Sequence, residues 1–212
     1  MKKVLFLLVM LTVTVSIKAQ HEEGDILIQP RVGITISNIT DGDKSKLNLA
    51  YGVEFERFFT DQFSLAAGVL FTNQGCKYEI YDIELYESKQ GFYIDDVILN
   101  LYYGALPITA NYYVLPGLAL KAGIQPAFRV KSNIQEGGNK MDFDNMVAML
   151  FPGEDVKMNT FEFSIPVGFS YEYNRITLDA RYNIGLTKLI SGNSNTIHNK
   201  VFAITLGYKL GR

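Results

Sequence analysis

The sequence predicts an all-β protein, an eight-stranded antiparallel up-and-down transmembrane β-barrel, on three observations. Eight segments alternate apolar and polar residues with the period of two that puts successive side chains on opposite faces of a strand. The connections between these segments are alternately short and long. After an apparent export leader, no apolar run reaches the roughly 20 residues that a spanning helix needs. A chain of this kind enters a membrane as a closed barrel, because only closure satisfies every backbone hydrogen bond without water.

The leader is MKKVLFLLVMLTVTVSIKAQ. Lys2 and Lys3 form a basic start, Val4 to Val15 an apolar centre, and Ala19 the small residue before the expected cut. Residues 1–19 are therefore expected to be a cleaved signal peptide, and 20–212 a single barrel domain. The residue after the cut is Gln20, not a lipid-accepting cysteine. Loss of Lys2, Lys3 and Lys18 takes the formal charge from −2 to −5. A mildly acidic chain argues against a nucleic-acid partner, which calls for a basic patch. Cys76 is the only cysteine, so no intrachain disulfide framework exists and packing and strand pairing must supply stability.

The clearest segment is Phe161 to Tyr173, FEFSIPVGFSYEY, with aromatics at its ends and aliphatics between them on one face. The first segment, Ile26–Ile39, opposes Val32, Ile34 and Ile36 to Arg31, Gly33, Thr35 and Ser37. The second, Leu47–Phe59, opposes Leu49, Tyr51, Val53 and Phe55 to Asn48, Ala50, Gly52, Glu54 and Glu56. The third, Phe63–Tyr81, sets Leu65, Ala67, Val69 and Phe71 against Ser64, Ala66, Gly68 and Thr72. The fourth, Ile98–Val114, is regular from Leu106 onward, but Leu99, Leu101 and Tyr103 are apolar on the opposite parity. Either a bulge near Tyr102–Gly104 or a stretch beyond the bilayer accounts for this. The fifth, Leu118–Ile134, opposes Leu120, Ile124, Phe128 and Val130 to Lys121, Gln125, Arg129 and Lys131. The seventh, Ile176–Ile190, opposes Leu178, Tyr182 and Ile184 to Asp179, Arg181 and Asn183. The eighth, Val201–Leu210, opposes Phe202, Ile204, Leu206 and Tyr208 to Thr205, Gly207 and Lys209.

Thr60-Asp61-Gln62, Leu115-Pro116-Gly117 and Asn174-Arg175 have the composition of tight hairpin turns. The other connections, about 40–46, 82–97, 135–159 and 191–200, are longer. In outer-membrane barrels the short turns face the periplasm and the long loops face outside.

Alternation alone does not choose which face is inside, and a soluble lipocalin-like barrel has the same strand plan with an apolar cavity. Two features favour lipid on the apolar face. Gly33, Gly52, Gly68, Gly123, Gly168, Gly185 and Gly207 all share the polar face, where they make room for charged side chains in a crowded interior. The aromatic face carries almost no charge at mid-strand, as lipid contact requires. The expected interior is then a charge network of Arg31, Glu54, Glu56, Lys121, Arg129, Glu162, Glu172, Asp179, Arg181 and Lys209, with Lys131 also on that face. Eight strands leave an interior that side chains can fill, so a plugged core is expected rather than an ion path.

Three stretches carry a resemblance: Tyr103-Gly-Ala-Leu-Pro-Ile-Thr-Ala-Asn-Tyr, Ala180-Arg-Tyr-Asn-Ile-Gly-Leu-Thr-Lys, and Asn199-Lys-Val-Phe-Ala-Ile-Thr-Leu-Gly-Tyr-Lys-Leu. With the Ala19-Gln20 junction, their order and spacing resemble the PorT-like outer-membrane β-barrel family, small eight-stranded barrels of Gram-negative bacteria. The resemblance implies residence in the outer membrane, assembly by the barrel-assembly machinery, contact with outer-membrane lipid and lipopolysaccharide, and for some relatives a part in protein secretion. Such barrels usually end on an aromatic residue; here Gly211-Arg212 follow Tyr208 and Leu210.

Catalytic chemistry finds little support. His21 and His198 are the only histidines, and a Ser/His pair of His198 with Ser191 or Ser194 lacks a placed acid. No cofactor is implied. Asp142, Asp144 and Asn145 lack the glycine and distal Glu of a Ca²⁺ loop. The run from Met141 to Phe151 has an acidic start and a Pro152-Gly153 stop, the marks of a short helix. That helix either caps the barrel mouth or offers Met141, Phe143, Met146, Met149 and Phe151 to an envelope protein partner. The acidic loop with Asp82, Glu84, Glu87, Asp95 and Asp96 reads as solvated.

Overall fold

The structure, a computed structural model, describes residues 21–39, 44–78, 97–136, 139–142, 145, 157–191 and 198–211. The leader, the acidic loop and most of the Met-rich run lie outside the described residues. Among the described residues fourteen strands follow in order: β1 Ile26–Ile39, β2 Lys44–Thr60, β3 Phe63–Gln74, β4 Cys76–Tyr78, β5 Val97–Ala105, β6 Ile108–Leu115, β7 Leu118–Glu136, β8 Asn139–Asp142, β9 Lys157–Met158, β10 Phe161–Tyr173, β11 Ile176–Gly185, β12 Ile190–Ser191, β13 Asn199–Tyr208 and β14 Leu210–Gly211.

All the main pairings are antiparallel. The ladder runs β10, β11, β13, β1, β2, then β3 and β4, then β5 and β6, then β7, which pairs back onto β10 and closes the barrel. Ten strand segments make this barrel rather than the eight continuous strands expected. Gly75, with φ of 125°, interrupts the third expected segment between β3 and β4. A side chain there would also fall 2.1 Å from the Leu99 carbonyl oxygen, so only glycine makes the break. Leu106 and Pro107 separate β5 from β6, Pro107 having no N–H to give a ladder. The β3 strand pairs with β6 through Ala67 and with β5 from Leu70 onward. At the short turns, Gly117 (φ 77°) follows Pro116, and Asn174 takes φ of 56°, both as tight turns require.

The apolar face points outward. Val32, Leu49, Tyr51, Phe55, Leu120, Phe169 and Leu178 are all exposed. Aromatics gather towards both ends. Phe59, Phe63, Tyr112, Tyr171, Tyr173 and Tyr208 stand near the short turns. Phe71, Phe128 and Phe161 share one cross-strand row nearer the long loops, and the Phe128 and Phe161 rings lie tilted against each other with centroids 5.4 Å apart.

The parity change belongs to a different strand from the one expected. Leu99, Leu101, Tyr103 and Ala105 are buried on the same parity as Thr109, Asn111 and Tyr113, so β5 and β6 never switch faces. The register does shift at Tyr102/Tyr103, but the extra residue is Val130 on β7: Tyr102 pairs with Lys131 and Tyr103 with Arg129. Beyond this bulge Ser132 turns inward and Lys131 outward, exposed. Lys131 is therefore not an interior charge.

Candidate functional site in the barrel interior

Long polar side chains need room, and the ladder supplies it. Arg31 has Gly52 as its partner on β2 and Gly207 on β13. Gly168 on β10 lies between Arg181 on β11 and Lys121 on β7. A Cβ at Gly168 would stand 2.1 Å from the Ala180 carbonyl oxygen, so neighbouring backbone also occupies that space. At Gly52 and Gly207 the space a Cβ would take is filled in part by the Leu70 and Gln29 side chains.

The centre of the lumen is a five-residue ionic knot. Glu54 takes Arg31 Nε at 3.0 Å and Arg181 Nη2 at 2.5 Å, with Lys121 Nζ at 3.8 Å. Asp179 takes Arg31 Nη1 at 3.1 Å, Lys121 Nζ at 2.8 Å and Arg181 Nε at 2.7 Å. All five are buried. Such a knot is stable only because each charge is shared; an isolated charge here would cost several kcal/mol.

Toward the short turns lies a second group. Lys209 Nζ reaches Glu56 at 2.9 Å and Glu172 at 2.7 Å, and donates to the Tyr113 hydroxyl at 2.9 Å. Glu56 Oε1 also accepts from Ser64 (2.5 Å), Asn111 (2.9 Å) and Tyr113 (2.9 Å). The His21 ring lies against Phe58, centroids 4.5 Å apart, with Nε2 2.9 Å from Glu172. The two groups together set four lysine and arginine cations against four carboxylates.

Toward the long loops Leu70, Cys76, Leu99, Leu101, Tyr103, Ala105, Ala127, Met158 and Leu189 form one buried apolar cluster, beside the buried polar residues Lys46, Gln74, Asn100 and Asn199. Met158 and Leu189 arrive on the β9 and β12 side, where Ile190 pairs with Met158 in a two-stranded sheet. Arg129, half-buried at the bulge, ties this cap down: Nη2 donates to the Met158 carbonyl at 2.9 Å and Nε to the Asn159 carbonyl at 3.4 Å. Glu162 is buried beside the cluster and accepts from Asn199 Nδ2 at 3.3 and 3.5 Å. It forms no ion pair among the described residues, so it does not face a lysine or arginine as Glu172 does.

Of the ten expected interior charges, nine are buried and Arg129 sits at the upper rim. Residues of the interior that were not singled out for it include Lys46, which donates to Asn100, and His21, Phe58, Asn111 and Tyr113. The alternation of β6 contained the signal for the last two. His198 Nδ1 lies 3.1 Å from the Thr187 carbonyl. Met141 is exposed, and Asn145 N–H donates to Asp142 at 3.4 Å; Phe143, Asp144, Met146, Met149 and Phe151 lie outside the described residues. The described helical residues hold no span long and apolar enough to cross a membrane.

The family model described as outer membrane protein beta-barrel domain matches residues 18–191. Among solved structures, Neisserial surface protein A is similar at 12% identity and TM-score 0.53, covering 89% of this chain and 100% of its own. Ail, the attachment invasion locus protein of Yersinia pestis, in complex with the heparin analogue sucrose octasulfate, is similar at 11% identity and TM-score 0.51, covering 89% and 99%. OprG from Pseudomonas aeruginosa gives 15% identity and TM-score 0.46, covering 92% and 99%. No curated protein sequence matches this chain significantly.

Proposed function

This chain belongs to the outer membrane protein beta-barrel domain family and resides in the outer membrane, and we propose that it is a non-enzymatic barrel with a structural or interaction role carried by its loops. The observation that supports this reading most is the filled lumen: Glu54 and Asp179 tie together Arg31, Lys121 and Arg181 across its centre. With the interior occupied and the outer face committed to lipid, work on a partner falls to the segments that project beyond the bilayer. Both imidazoles already lie against other groups, His21 against Glu172 and His198 against a carbonyl, which weighs against a histidine-based active centre.

The ten segments make eight crossings on this reading, with β4 continuing β3 and β6 continuing β5. The signal peptide is cut after Ala19, which places His21 next to the new N-terminus, inside the short-turn mouth. The barrel-assembly machinery inserts the chain, and outer-membrane lipid and lipopolysaccharide surround it. Replacing 143–156 with a Gly/Ser linker tests the interaction role. The variant should keep its heat-modifiable gel shift and lose crosslinks to an envelope protein partner. Unchanged crosslinks would refute a partner site at Phe143, Met146, Met149 and Phe151.

A narrower membership in the PorT-like family is the second reading, favoured by the Tyr103–Tyr112, Ala180–Lys188 and Asn199–Leu210 stretches. It makes the chain a component of an outer-membrane secretion assembly. A deletion strain would then retain secreted proteins in its envelope; unaltered secretion would reject this role.

A further inference from the structure

The bulge on β7 puts two consecutive residues, Val130 and Lys131, on the outer face. Val130 is 73% exposed, more than any other large apolar side chain among the described residues. Below it, toward the middle of the wall, lie the tilted Phe128 and Phe161 rings. Tyr102 on β5 stands beside Lys131.

A second lysine stands at the same rim. Arg129 N–H donates to the Thr160 carbonyl at 2.7 Å, and Asn159 N–H donates to the Leu189 carbonyl at 2.8 Å. The Asn159 side chain donates to the Lys188 carbonyl, also at 2.8 Å. The 159–160 stretch therefore runs between Lys131 and Lys188, two strand spacings apart, or roughly 10 Å. Both lysines are exposed, and neither has an ion pair among the described residues. The carboxylate that β8 brings nearest, Asp142, stands opposite Asn133 and accepts from the Asn145 N–H. Lys44 and Lys77, opposite each other on β2 and β4, and the exposed Lys200 on β13 add positive charge to this rim. The short-turn rim differs: there Glu22, Glu23 and Asp61 are exposed with Arg57 and Arg175.

From mid-wall outward the order is aromatic rings, an aliphatic side chain, then two ammonium groups. A lysine at such a level lays its stem along apolar surface and holds its charge at the headgroups. The same order describes an amphiphile with an anionic head. We propose that Lys131 and Lys188 bind the phosphorylated headgroup of an outer-leaflet lipid, with an acyl chain of that lipid against Val130, Phe128 and Phe161. Such a seat presupposes the lipid surround proposed above and gives it one specific place.

The test mixes the mature barrel, folded in non-ionic detergent and verified by its heat-modifiable gel shift, with diphosphoryl lipid A, its dephosphorylated form or inorganic phosphate. Bound lipid is counted by native mass spectrometry. The phosphorylated lipid should give a discrete adduct and the dephosphorylated one far less. Lys131→Gln and Lys188→Gln should each weaken the adduct about fivefold, the effect of one basic residue near an anionic surface. Arg57→Gln, at the other rim, should leave it unchanged. Equal retention of the two lipids, or an unchanged adduct in the Lys131/Lys188 double variant, overturns the seat while leaving the lipid surround intact. An adduct displaced by millimolar inorganic phosphate would also overturn it, by showing a site for free phosphate. Failure of the wild type to insert into lipid vesicles would instead overturn the surround.

Discussion

Arg181 on β11 meets Glu54 on β2 with Nη2 2.5 Å from Oε1, although two strands, β13 and β1, separate theirs in the barrel wall. The contact crosses the lumen, so wall and filling are one cooperative unit. Removing Glu54 leaves Arg31, Lys121 and Arg181 to share the single carboxylate of Asp179. Glu54→Gln should destabilise the barrel by about 3–5 kcal/mol, the cost of leaving buried charge uncompensated, measured by urea unfolding in detergent or bilayer vesicles.

Glu162 should behave in the opposite way. Its carboxylate accepts from Asn199 but forms no ion pair among the described residues. Glu162→Gln keeps an acceptor for Asn199 and removes a charge from an apolar neighbourhood. Stability should stay the same or rise by about 1–3 kcal/mol, the scale of a desolvation penalty relieved. A loss comparable to that of Glu54→Gln would show that Glu162 is charged and paired.

The glycine seats are steric. Gly168 lies between Arg181 and Lys121, with the Ala180 carbonyl where its Cβ would be. Gly168→Val should cost at least the ~1–3 kcal/mol of an overpacked core and reduce the folded fraction in a heat-modifiable gel shift. Ser170→Ala, on the same face of the same strand, should fold normally.

The outer face should reject charge. Ile34 pairs with Ile204 and Leu49 near the middle of the wall and is 41% exposed. Ile34→Arg should cost about 2–4 kcal/mol, the penalty for a cation on the lipid face at the bilayer midplane. A change below about 0.5 kcal/mol, the size of an ordinary surface effect, would mean that this face does not meet lipid.

Val130 is a residue of β7 whose deletion the wall should tolerate. Removing it leaves Tyr103 opposite Arg129 and Tyr102 opposite Lys131 without the extra residue, so Lys131 stays outward, Ser132 stays inward, and the barrel should still assemble into vesicles. Deleting Leu120, which lies in an unbroken part of the same strand, turns one side of the strand over and should abolish assembly.

These cases mark what the sequence makes legible. The strand Phe161–Tyr173 is readable to its ends because its alternation is unbroken and its two faces meet different media. The ionic knot is readable for the same reason: a long charged side chain at an inward parity has nowhere else to go. Three features escape this logic. Leu99, Leu101 and Tyr103 are apolar and inward, because the loop end of the lumen holds an apolar cluster. Arg129-Val130-Lys131 alternates perfectly on paper, and only pairing with Tyr102 and Tyr103 reveals the extra residue. His21 precedes the first strand, so no periodicity places its ring on Phe58 beside Glu172.

The claim that the lumen is closed by its own side chains is tested most directly by single-channel recording. Purified mature barrel, reconstituted in a planar lipid bilayer and verified as folded by its gel shift, should give no discrete conductance steps at any applied voltage. Reproducible steps from the folded wild type, altered in size by Lys121→Gln or Arg181→Gln, would contradict a lumen sealed by the Arg31, Glu54, Lys121, Asp179 and Arg181 knot.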